Sequence, residues 1–198
     1  MFKHGITYVG SPAQRQQAGL TPDRVNAAPV GKREKLQADL AYARLPSGHE
    51  ADLIEAVAEG VVFNSLDTLL SKDVNRLVVL RPRLTTQERA AALLVIFRLL
   101  GSGYDFKFDF NDGTFQCCTE VIYRAFHARG DLNLALTPRM GSQTLSADDI
   151  VHYFLGAEHR PFEFVLLAEK DPGFSGARIL TGAEGQTRLI ELMGDDSR

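Results

Sequence analysis

The spacing of apolar and polar residues changes several times along this chain, and each change predicts an element. Ile6-Thr7-Tyr8-Val9 reads as a strand reached almost at once from the start. Ser11 to Gly31, rich in Gln, Ala, Pro and Gly, reads as a long surface loop. Lys32 to Arg44 places Leu36, Leu40 and Ala43 among charges, a marginal amphipathic helix ended by Pro46 and Gly48. Asp52 to Val57 and Gly60 to Phe63 are strand-like and joined by a turn at Glu59-Gly60, and Ser65 caps a short helix through Leu70. Arg76 to Leu80 is a continuous apolar run of the kind found in strands buried on both faces, and Pro82 stops it.

Three helices follow. Thr85 and Glu88 form a capping box that opens a helix from Thr86 to about Leu100, apolar around most of its circumference and closed by Gly101 and Gly103. Cys118 to Ala128 carries Val121, Ile122, Ala125 and Phe126 on one side, with Gly130 past its end. Ser146 and Asp149 form a second capping box for a helix to Leu155, and Phe162 to Ala168 is a late strand. Short strands and helices without regular alternation favour an α+β fold over a doubly wound sheet.

Composition narrows the function classes. With 198 residues, 44% apolar and 24% charged, the chain fits one ordinary globular domain. A formal charge of -3 leaves no excess of cations to neutralise a phosphate backbone, so nucleic acid is not an expected partner. The longest apolar run, Ala90 to Phe97, stops at Arg98, well short of a membrane span. No n-region followed by an h-region is visible at the start, so the expected location is the cytoplasm. Cys117 and Cys118 are adjacent, and a bond between neighbours closes no loop, so both thiols are expected free. These cysteines and the scattered histidines have no metal-ligand spacing, and no metal or cofactor is expected.

Candidate chemistry concentrates between Tyr104 and Phe126. A loop of aromatic and acidic residues runs into a helix with a cysteine on its first turn. Unpaired amides and the helix dipole stabilise a thiolate there and offer donors to an oxyanion. The plainer alternative is that both cysteines are small buried hydrophobes. A thiol nucleophile needs a base. His127 lies nine residues along the same helix from Cys118, roughly 13 Å by the helical rise. His49, His152 and His159 read as solvated, which leaves His4, directly before the first strand, with a frayed terminal histidine as its alternative.

These residues carry a resemblance. His4-Gly5-Ile6-Thr7-Tyr8-Val9-Gly10, Leu53-Ile54-Glu55-Ala56 with Gly60-Val61-Val62 and Ser65-Leu66, Val78-Val79-Leu80-Arg81-Pro82, Tyr104-Asp105-Phe106, Cys118-Thr119-Glu120-Val121-Ile122, and Gly141 to Ser146 together resemble the permuted papain-like amidases, the YiiX and YaeF-like branch of the NlpC-type cysteine hydrolase superfamily. The resemblance spans His4 to Leu167. It implies one domain over 1–198 with a circularly permuted papain-like fold, an antiparallel sheet packed against helices and the histidine ahead of the cysteine.

Carried over residue by residue, it makes Cys118 the nucleophile, His4 the general base and Glu55 the group that orients the imidazole. Cys117 falls where the family has an aromatic and becomes a packing residue, and Tyr104 and Asp105 are candidates to line the cleft. Two features depart from the family pattern: a strand with a Gly-Asp pair upstream of the histidine is missing, and His4 directly precedes Gly5 where the family places one residue between. Misplacing a base by about 1 Å costs on the order of a hundredfold in rate, so the hold on His4 is the decisive question.

The implied activity is a thiol hydrolase, amidase- or peptidase-like, acting on a small peptide, amide or lipid acyl substrate through an acyl-enzyme, with the Cys118 amide at the oxyanion. Two alternatives stand beside it. One is a non-catalytic binding domain that keeps the papain-like core. The other is a lipid acyltransferase using the same Cys-His pair, for which an exposed apolar mouth would speak.

Overall fold

The computed structural model describes residues 2–26, 30–72, 74–139, 141–171, 173 and 176–195. Its elements run β1 (Ile6–Tyr8), α1 (Pro12–Gln17), α2 (Pro22–Asn26), α3 (Val30–Ala41), β2 (Leu53–Val57), β3 (Gly60–Asn64), α4 (Leu66–Ser71), β4 (Arg76–Pro82), α5 (Thr86–Leu99), α6 (Cys118–Phe126), β5 (Thr137–Arg139), β6 (Ser142–Thr144), α7 (Ala147–Gly156), β7 (Phe162–Lys170), β8 (Ala177–Leu180) and α8 (Gly182–Asp195). The fold is mixed α+β, with antiparallel sheets packed against helices. One sheet has the order β1-β2-β3, a second β4-β7-β8, and β5-β6 is a separate hairpin.

Two apolar clusters meet at α6. In the first, Ile54, Ala56 and Val61 of β2 and β3 pack with Ala90, Ala92, Leu93, Ile96 and Phe97 of α5 and with Cys118, Val121 and Ala125 of α6. In the second, Phe162, Phe164 and Leu167 of β7 pack with Ile150, Val151 and Phe154 of α7, Leu189, Leu192 and Met193 of α8, and Cys117. Truncating a Leu or Phe in either cluster to Ala costs about 2–5 kcal/mol. The N-terminus of α6 is thus held from both sides.

Both predicted capping boxes form: Thr85 Oγ1 accepts from the Glu88 amide at 3.2 Å, and Ser146 Oγ from the Asp149 amide at 3.1 Å. The stretch predicted as a surface loop does not stay one. Ser11 and Gln14 make a third capping box, and α1 and α2 occupy most of the segment, residues 27–29 lying outside the described ones. The physical anchor is Arg15, 1% exposed, which donates to the carbonyls of Leu40, Tyr42 and Ala51 while its guanidinium lies 5.4 and 5.2 Å from the rings of Phe63 and Phe97. Those carbonyls pair its two terminal nitrogens, while the buried Nε has no hydrogen-bond partner among the described residues.

β4 also departs from expectation. It is an edge strand, half-buried along Leu77 to Leu80, and Pro82 is its last paired residue, opposite Phe162. An edge tolerates proline because one side of the strand needs no donor. The helix begun at Cys118 ends at Phe126, with Ala128 in the left-handed region at φ 57°. β5, β6, β8 and α8 were not foreseen from the apolar pattern.

Candidate active site

The β1-β2 register sets the first contact. Ile6 pairs with Glu55 and Tyr8 with Leu53, so β1 carries His4 along the central strand of its sheet. His4 Nε2 lies 2.7 Å from Glu55 Oε2. The other oxygen, Oε1, accepts from the side-chain amide of Asn64 on β3. Glu55 is buried, with both oxygens engaged, so it is not an outward-facing strand carboxylate. The His4 hydrogen bond, and after burial the Asn64 bond, hold its carboxyl below the usual range.

With Nε2 committed to Glu55, Nδ1 is the ring nitrogen left for the thiol of Cys118. The imidazole is raised to about 9, first by its hydrogen bond to Cys118 and then by Glu55, against burial. Burial pushes the Cys118 thiol up, but the His4 hydrogen bond, the Gly5 amide and the imidazolium charge outweigh it and leave the thiol below its ordinary value. These opposite shifts favour a thiolate beside an imidazolium.

The hold on His4 is built from backbone. The Phe2 amide donates to Asp148 Oδ1 at 2.6 Å at the start of α7, and the Val9 amide donates to the Asp52 carbonyl at 2.8 Å. His4 is therefore pinned on both sides rather than frayed. Gly5 lets β1 reach the helix: a Cβ there would stand 2.7 Å from Ile122 Cδ1 and 3.7 Å from the Cys118 carbonyl. The glycine directly after the histidine thus has a steric reason.

Cys117 is a different group. It is fully buried, its sulfur is 3.4 Å from the Thr119 hydroxyl, and burial pushes its thiol up to about 11. Neither cysteine is in a disulfide. The other histidines lie elsewhere: His127 stacks on Tyr123 at 4.5 Å, His49 meets Asp67 at 3.3 Å, and His152 and His159 are exposed.

The structure brings His4, Glu55 and Cys118 together and adds Asn64, which sequence reasoning missed. The signal was present: a turn at Glu59-Gly60 sets Glu55 opposite Val62, making Asn64 its diagonal neighbour. Tyr104 is half-buried, and its backbone bridges to Gln116, two residues before Cys118. Asp105 is buried and accepts from the amides of Lys107 and Asp109 at 2.8 and 2.6 Å, so its carboxylate orders its own loop. Among the described residues, no group of three or more His, Cys, Asp or Glu is placed to hold a metal ion. No helix among them is long and apolar enough to cross a membrane.

No protein-family model matches the chain, and no curated protein matches it. Among solved structures, it is similar to the crystal structure of the metalloprotein yiiX from Escherichia coli O157:H7, DUF1105. That match has 18% identity, covers 79% of this chain and 92% of that one, and has a TM-score of 0.40. An overlap of that size assigns no activity.

Proposed function

We propose that this protein is a thiol hydrolase with a Cys-His-Glu triad on a circularly permuted papain-like fold, cleaving an amide or acyl bond of a small substrate. The observation that carries the reading is the 2.7 Å bond from His4 to buried Glu55, on an imidazole that Cys118 and Glu55 together draw up to about 9. A satisfied structural histidine would not raise the question of a second, lowered thiol.

The chemistry follows from the pair. Cys118 Sγ attacks the carbonyl carbon, forming a C–S bond while the C=O π pair moves to oxygen, where the first-turn amides of α6 face the developing charge. Collapse breaks the bond to the leaving group, which takes its proton from the His4 imidazolium. Water, deprotonated by neutral His4, then attacks the thioester, and the acid leaves as the thiol re-forms. Glu55 keeps the imidazole oriented and supports its charge, and Asn64 holds Glu55.

Incubation with p-nitrophenyl acetate tests the reading by mass spectrometry of the protein. One acetyl group on Cys118, turned over at a measurable rate, is the expected result. An inert Cys118 whose alkylation follows an ordinary thiol pKa of about 8.5 would replace the hydrolase with the binding domain.

Lipid acyl transfer through the same residues is a second reading, favoured by one observation. Phe106, Phe108 and Phe115 stand exposed on the loop leading into α6, with Phe106 4.9 Å from Tyr104. A long-chain p-nitrophenyl ester acylating Cys118 at least tenfold faster than the acetate would support it, and equal rates would remove it.

A further inference from the structure

The triad leaves a fully buried carboxyl group beside the nucleophile unused. Glu120, on the first turn of α6, is completely buried and accepts from the Cys117 amide at 2.7 Å and from Arg124 at 3.2 Å. Arg124 also reaches the loop ahead of the helix: Nε donates to Gln116 Oε1 at 2.8 Å, and Nη2 to the Asp112 carbonyl at 2.8 Å and the Phe110 carbonyl at 3.3 Å. Gln116 is itself fully buried, and its amide nitrogens reach back to the carbonyls of Gly103 and Gly113, both at 2.9 Å.

We propose that Glu120 and Arg124 are positioning residues for the nucleophile, one network that fixes where the 110–117 loop enters α6 and so where the Cys118 thiol and amide stand against His4. This rests on the hydrolase reading. Glu120 holds the amide of Cys117, the residue directly before the nucleophile, and Arg124 ties it to a loop segment five to seven residues upstream through a planar fork that a lysine lacks. The network touches neither the reacting sulfur nor the imidazole, so it acts through placement. Burial pushes the Glu120 carboxyl up to about 7; of the charged groups around it, Asp105 raises it further and Arg124 lowers it.

Placement can be separated from simple stability because two reactions at one sulfur demand different things. Alkylation by iodoacetamide needs only an accessible thiolate. Acylation by p-nitrophenyl acetate also needs an amide aligned with the oxyanion. Both are read at Cys118 by peptide mass in wild type, Glu120→Gln and Arg124→Lys, and their ratio is independent of the folded fraction. The expected result is a ratio at least tenfold lower in the variants. A ratio within twofold of wild type overturns the proposal. Should Glu120→Gln not fold, Arg124→Lys carries the test, since it keeps the charge but cannot span four acceptors. If wild type alkylates yet never acylates, the hydrolase reading fails by itself, and the midpoint of the alkylation pH profile decides: a rise of about 0.5 unit or more in the variants sustains the network, an unmoved midpoint removes it.

Discussion

Cys117 and Cys118 are consecutive residues that enter different cores: Cys117 packs with β7, α7 and α8, and Cys118 with β2, β3 and α5, facing His4. The chain turns into α6 between them, so neighbouring side chains diverge. One thiol is pushed up to about 11 by burial and the other is drawn below its ordinary value. Cys118→Ala is therefore expected to abolish labelling by an electrophilic activity probe, while Cys117→Ala keeps most of it and loses about 1 kcal/mol of stability. Equal loss from both, measured by probe incorporation on folded protein, would remove the assignment.

The pH dependence has two limbs of different origin. Cys118 is drawn down, so alkylation persists below the ordinary thiol range, and it fails only as acid protonates the thiolate. His4 is raised to about 9, so its imidazolium is present below that value and lost as pH rises through it. Acyl transfer from an amide, whose amine leaves only when protonated, should fall above about 9, where the leaving group loses its proton donor, while alkylation continues. In His4→Ala the acid limb of alkylation should move up toward about 8.5. Superimposable stopped-flow profiles for the two proteins would rule out the pair.

Glu55→Gln keeps an acceptor for His4 but removes the charge that supports the imidazolium, and it faces Asn64 with an amide on both sides. Acylation is expected to fall by about tenfold or more while the fold survives. Normal acylation with an unchanged melting temperature would reduce Glu55 to a bystander, and a large fall in melting temperature with normal acylation would make it purely structural.

What could be read from the chain, and what could not, follows the range of each interaction. The boxes at Thr85-Glu88 and Ser146-Asp149 are local, and both form. Ser11-Gln14 carries the same signal, but the surrounding Pro and Gly masked it, and the anchor of that segment, Arg15, reaches partners 25 to 36 residues away. β4 misled because an apolar run does not say whether a second strand will cover its far side. At the site, a cysteine on a first turn was visible locally, whereas the role of Glu55 came from resemblance alone: a single carboxylate in an apolar strand points to either face until the register is known. The roles of Glu120 and Arg124 were not legible, because the links from Glu120 to the Cys117 amide and from Arg124 to Gln116 depend on how the 110–117 loop folds back.

The last prediction tests the closeness of β1 to α6. Gly5 has no left-handed backbone requirement, so a substitution there is judged on space alone. An alanine methyl would sit 2.7 Å from Ile122 Cδ1, and that terminal carbon is the one severe contact, the next neighbours being at 3.7 Å. Relief can come from rotation of Ile122 or from β1 moving outward, and outward movement carries His4 away from Cys118. Because a shift of about 1 Å in a base costs on the order of a hundredfold, Gly5→Ala should lower acylation of Cys118 at least tenfold with the sheet intact. Ile122→Val deletes only the offending carbon and should cost about 1 kcal/mol. In the double variant, Gly5→Ala with Ile122→Val, the clash is gone and β1 can return, so acylation should recover most of the loss. Acylation rates and thermal unfolding of all four proteins form a double-mutant cycle. A coupling toward rescue is expected in both the rates and the melting temperatures. Additive losses in rate would mean that the methyl at Gly5 disturbs the site by some route other than Ile122, and that the approach of β1 to the helix is not what places His4.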